Sequence, residues 1–152
     1  MSLTRLFAVL FFGVFSVVGA SNLQAQDEVA EKRSKLMKGV SAENKAIKSA
    51  VEKKDYATIA SKARKLAETF EMKNFATYFP HNSTSSGSRA RADIWTKWDE
   101  FMGKAYDGKQ KALAVADAAD AKDGAKVSAA YKDFGKACGS CHKPFRAPKK
   151  KK

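Results

Sequence analysis

Cys138, Cys141 and His142 stand within five positions of one another in the stretch ACGSCHKPFR, residues 137–146, and they include both cysteines and one of the two histidines of the chain. On a helix, positions i, i+3 and i+4 share a face, so two thiols and an imidazole would point the same way. Three chemistries use such groups. A structural zinc site needs four ligands, usually a second Cys pair or two His, but there is no second pair and His81 falls in a distant loop. A thioredoxin-type disulfide expects a strand–helix–strand setting, and no stretch of this sequence shows strand alternation. The third is covalent attachment of haem c, for which Cys-x-x-Cys-His is the signature. Thiols one turn apart can each add to one vinyl group of the porphyrin, and the adjacent imidazole then reaches the iron from one face. The sequence therefore predicts one covalent haem c, held by Cys138 and Cys141, with His142 as an iron ligand.

The compartment agrees. Arg5 precedes an apolar run, Leu6–Val18, which is followed by small residues ending in Leu23-Gln24-Ala25. That order marks a Sec-type signal peptide cleaved after Ala25, with Gly19-Ala20 as the other possible site. A retained anchor would need roughly 20 apolar residues, more than this run supplies. The expectation is a periplasmic protein without stable membrane insertion after cleavage. Loss of Arg5 with a leader that holds no acid lowers the formal charge from +13 to +12. So basic a surface favours acidic partners, and export argues against nucleic acid. The residues 26–152 suffice for one domain, ending in a Lys-rich tail, Lys149–Lys152.

The elements that must carry the motif are helices. Val29, Leu36, Met37, Val40, Ile47, Ala50 and Val51 repeat at three, four and seven between Asp27 and about Lys54. Ile59, Ala60, Ala63, Leu66, Phe70, Phe75 and Tyr78 continue the rhythm from Tyr56 to Phe79, stopping at Pro80. Residues 80–92 are polar, Ser- and Gly-rich and aperiodic, and read as the long loop; Asn82-Ser83-Thr84 within it matches a glycosylation sequon. A third helix is expected from Ala92 to Ala116 with Gly103 and Gly108 as weak points, a turn over 117–124, and a last helix from Ala125 to Phe145. Four amphipathic helices can bury their stripes only on one another, which makes the expected fold all-α, an antiparallel four-helix bundle.

The segment GKACGSCHKPFR, 135–146, so close to the C-terminus, resembles the end of class II cytochromes c, the cytochrome c prime group. RSKLMKGV, 33–40, is similar to that family's first-helix opening, and SRARADIWTKWDEF, 88–101, to its third-helix entry. The likeness covers essentially the whole chain after the leader. It implies that Cys138 and Cys141 are the thioether positions and His142 the proximal ligand, that Arg146 is the basic residue beside it, and that Arg33, with Arg89 or Arg91, lies near the haem propionates. Where family members often carry Lys-Pro-Glu before Ile-Trp, this chain has Arg91-Ala92-Asp93. Trp95, Trp98, Phe101 and Phe134 are expected to wall the haem.

The resemblance also makes Met37, four residues after Arg33, the side chain opposite His142. A thioether there would fill the sixth position and raise the potential, as in a low-spin, Met-ligated branch of the class; Met at helical spacing is otherwise ordinary packing. Met72 and Met102 are the reserve thioethers, and His81 a remote one for a second imidazole. The resemblance thus implies a one-electron carrier with His142/Met37 ligation that performs no reaction on a substrate and is a monomer or homodimer, and its basic surface would steer it to acidic redox partners. A five-coordinate haem that captures nitric oxide or carbon monoxide is the alternative.

Overall fold

The computed structural model describes residues 18–85 and 87–149, with side chains from residue 24 onward. Six helices follow in order: α1, Val18–Lys53; α2, Tyr56–Thr69; α3, Met72–Ala76; α4, Asp93–Thr96; α5, Trp98–Asp120; and α6, Gly124–Phe145. The four long ones, α1, α2, α5 and α6, form the bundle. Most of the apolar run read as a signal peptide and the last three lysines lie outside the described residues. α1 starts at Val18 and passes without a break through the expected cleavage boundary at Ala25. Among the described residues no helix is long and apolar enough to cross a membrane.

Two tight turns of the same design join neighbours. Lys54 and Lys122 take left-handed backbones, with φ of 56° and 52°, after which Asp55 and Asp123 reach back to Ala50 and Ala118 carbonyls, the Schellman closure. Each Asp then caps the next helix: its carboxylate accepts from the backbone N–H of Thr58 or Lys126, both at 3.0 Å. Each chain reversal makes its two helices antiparallel.

The expected second helix is in fact two. Phe70, Phe75 and Phe79 are all buried, yet on one straight helix Phe70 and Phe75 would stand about 140° apart. The chain breaks at Phe70 and Glu71, where Glu71 turns extended (φ −59°, ψ 120°), and the break lets all three rings enter the core. Glu71 is held there by an ion pair with Lys109 of α5. The expected third helix is likewise split at Lys97 (φ −124°, ψ 47°). Neither Gly103 nor Gly108 interrupts α5, which runs four residues beyond the expected end. The last helix falls where the sequence places it.

The core is centred on Ile47, Ile59, Leu66, Phe75, Ile94, Val115, Val127 and Phe134. α5 packs closely against α2 and α6, and α1 against α2, whereas α1 and α6 scarcely touch. That unequal pairing decides where a large planar group can enter.

Candidate functional site

α1 and α6 meet where the Tyr131 hydroxyl donates to the Asn44 carbonyl at 3.2 Å. They run antiparallel, so moving seven residues along each from that contact sets Met37 level with Cys138, and eleven residues sets Arg33 level with His142. On this stretch neither helix completes its packing. Leu36, Met37 and Val40 on α1, and Tyr131, Cys138 and Cys141 on α6, are only partly buried against the core. A row of half-covered apolar side chains on each side of a poorly closed seam fits a flat, apolar macrocycle better than it fits water. This is the test that a haem must pass here, and the lining meets it.

Cys138 and Cys141 form no disulfide with each other. Burial raises the pKa of Cys138, and pushes that of Cys141 up to about 11. Burial thus disfavours the thiolate form of both side chains. Burial, then the nearby Arg146 and Arg89 guanidinium groups, hold the His142 pKa below its ordinary value. The neutral imidazole so favoured is the form that donates a lone pair to a metal.

The end of α6 is fixed from outside. Ala90 and Arg146 form an isolated antiparallel bridge, with Arg91 N–H donating to the Phe145 carbonyl at 3.0 Å and Ala147 N–H to the Arg89 carbonyl at 2.8 Å. The Arg89 Nε donates to the Ala147 carbonyl, also at 2.8 Å. Arg89 therefore ties down the chain just after His142. Arg146 is exposed and contributes its backbone to the bridge. Arg91 pairs with Asp93 at the start of α4.

Arg33 is 5% exposed. Its guanidinium donates to the Ser83 carbonyl at 2.5 Å, the Ser83 hydroxyl at 2.8 Å and the Ser88 hydroxyl at 3.2 Å, and lies 5.5 Å from the Phe79 ring centre. Its Nε and the Ser85 hydroxyl are buried without partners. A buried cation with one spare donor, level with His142, is suited to a carboxylate of a bound group. Ser83 and Ser88 are site residues that sequence reasoning missed. They sit in the stretch read as a solvated loop, and only the Arg33 contact reveals their part.

Phe101 is 3% exposed and lies against Phe75, Phe79, Trp98 and Phe145, with ring centres 4.7 to 5.8 Å away. Phe145 belongs to the last turn of α6, so this cluster backs the motif. Trp95 donates through Nε1 to the Pro80 carbonyl at 2.7 Å and closes the loop's entrance. Phe134 is in the central core. His81 is exposed in the loop, and Met72 and Met102 are half-buried.

Comparison with known proteins places this arrangement. The family model described as Cytochrome C' matches residues 28–146. The chain is 34% identical to cytochrome c-556 of Agrobacterium fabrum over 98% of its own length and 99% of that protein's. It is 31% identical to cytochrome c' of Pararhodospirillum photometricum, over 76% and 94% respectively. The solved structure of a cytochrome c' with a ligand-controlled dimer dissociation superposes with a TM-score of 0.72 at 23% identity, over 81% of this chain and 97% of that one. The helical bundle, the seam beside the paired thiols and these likenesses lead to one conclusion: the chain belongs to the cytochrome c' family and carries a single covalently bound haem c.

Proposed function

We propose that Cys138 and Cys141 hold the haem as thioethers, that His142 binds the iron, and that the opposite side stays open to nitric oxide or carbon monoxide. The protein would exchange single electrons in the periplasm and perform no reaction on a substrate. The observation that carries the placement of the haem is the loosely paired seam between α1 and α6, lined by half-covered apolar side chains on the level of the motif. When bound, the haem supplies a one-electron couple and an open coordination position. The chain's own part is to exclude water with the Phe101 cluster, to keep His142 neutral, and to offer Arg33 to an acidic edge of the group.

The cytochrome c' relatives favour this open form over the expected six-coordinate His142/Met37 iron. The latter is kept as a second reading because Met37 lies on the level of Cys138 and is only partly buried. The deciding experiment is to add carbon monoxide to the reduced protein while recording its visible spectrum. Broad high-spin bands that shift at once are expected. Sharp low-spin bands indifferent to the gas, becoming high-spin in Met37→Leu, would overturn the open form and make Met37 the sixth ligand.

A further inference from the structure

The fold brings together two stretches that contain no acid. Residues 72–92 hold Lys73, Arg89 and Arg91, and residues 134–149 hold Lys136, Lys143, Arg146 and Lys149, with no Asp or Glu in either. They are remote in sequence, yet the Ala90–Arg146 bridge and the Arg89–Ala147 contacts join them at the end of the bundle where His142 lies. Lys143, Arg146 and Lys149 are exposed, and none of the ion pairs among the described residues uses them. At the other end, Lys53, Lys54 and Lys122 alternate with Glu52, Asp55, Asp120 and Asp123. Acids also stand on the elements beside the His142 end, at Glu31 of α1, Asp93 of α4, and Asp99 and Glu100 of α5, but Lys143, Arg146 and Lys149 pair with none of them.

The geometry points to a docking face, made by Lys143, Arg146, Lys149 and Arg89 around the His142 end of α6, for an acidic electron-transfer protein. An unneutralised cationic patch raises the encounter rate with an anionic partner, and one centred on the redox group orients the encounter so that the electron crosses the shortest path. Tyr106 of α5 is the only exposed large apolar residue described, and a single ring is too little apolar surface to insert into a lipid layer, so the face offers mainly charge. The assignment rests on the electron-transfer reading above.

The test uses the haem-loaded protein and a reduced acidic flavodoxin as the probe, mixed by stopped flow at low ionic strength. Lys143→Glu and Lys149→Glu together are expected to lower the second-order rate about fivefold or more. Lys45→Glu and Lys48→Glu, exposed residues of α1 that change the net charge equally, are expected to leave it within about twofold. Equal slowing by both sets would make net charge alone responsible, and no slowing by either would remove steering; each overturns the docking face while leaving electron transfer intact. Haem that flavodoxin cannot reduce though dithionite can would overturn the electron-transfer reading instead. Sedimentation with phosphatidylserine vesicles at physiological salt, combined with an unresponsive flavodoxin rate, would assign the patch to a membrane surface and overturn the protein partner.

Discussion

Arg33 of α1 grips Ser83 by both its carbonyl and its hydroxyl, fifty residues away in sequence, and so fastens the first helix to the loop that ends on α6. Removing the guanidinium leaves two buried acceptors without donors. Arg33→Met should cost about 2 kcal/mol, read from the denaturation midpoint of the haem-loaded protein. Arg33→Lys should recover part of it, since one ammonium can serve Ser83 but cannot span Ser83 and Ser88 together.

Each thiol should hold one side of the haem. Cys141→Ala is expected to leave a single thioether, with the pyridine haemochrome band moved to the red by the retained vinyl group, while Cys138→Ala with Cys141→Ala should give a chain whose mass lacks haem altogether. Full haem mass in the double variant would remove the attachment assigned to them.

The sign of the acid response follows from His142. Burial and two cations hold its folded pKa below the ordinary value, so between the two values the unfolded chain binds more protons. The stability tied to neutral His142 is present above about 6.5 and is lost as pH falls through the lower folded value. Arg146→Ala removes one of the depressing charges. It should raise the pH at which the reduced spectrum shows loss of the imidazole ligand, and Arg146→Glu should raise it further. An unmoved midpoint would mean that Arg146 does not act on the imidazole.

Phe101 is enclosed by four other aromatic side chains. Phe101→Ala should cost about 4 kcal/mol, measured by guanidinium unfolding, and should also slow haem loading because Phe145, in the turn after His142, loses its backing.

The motif was legible because its geometry is local: spacing alone sets Cys138, Cys141 and His142 on one face of a helix, and α6 begins within one residue of its expected start. Bundle architecture was legible for the same reason, as the apolar periods of α1, α2, α5 and α6 are strong. The breaks at Glu71 and Lys97 were not, since periodicity tolerates Phe70 and Phe75 in one pattern and only the shared core forces them apart. Nor was the role of Ser83 and Ser88. Polar residues in a Ser-rich segment carry no mark of the buried arginine they will meet. Whether Met37 reaches the iron depends on the depth of the seam, which no spacing encodes.

The loose seam between α1 and α6 also bears on the order in which the molecule is built. α5 and α6 are joined by a three-residue turn and pair closely, so this pair can consolidate through short-range contacts, with α2 packing on α5 from farther along the chain. α1 is anchored by α2 and by the Arg33–Ser83 grip but little by α6. The first helix is therefore the last board nailed down: it can stand aside while the thioethers form and then close over the seated haem, and its amide hydrogens should exchange fastest in the chain before loading and slow most after it.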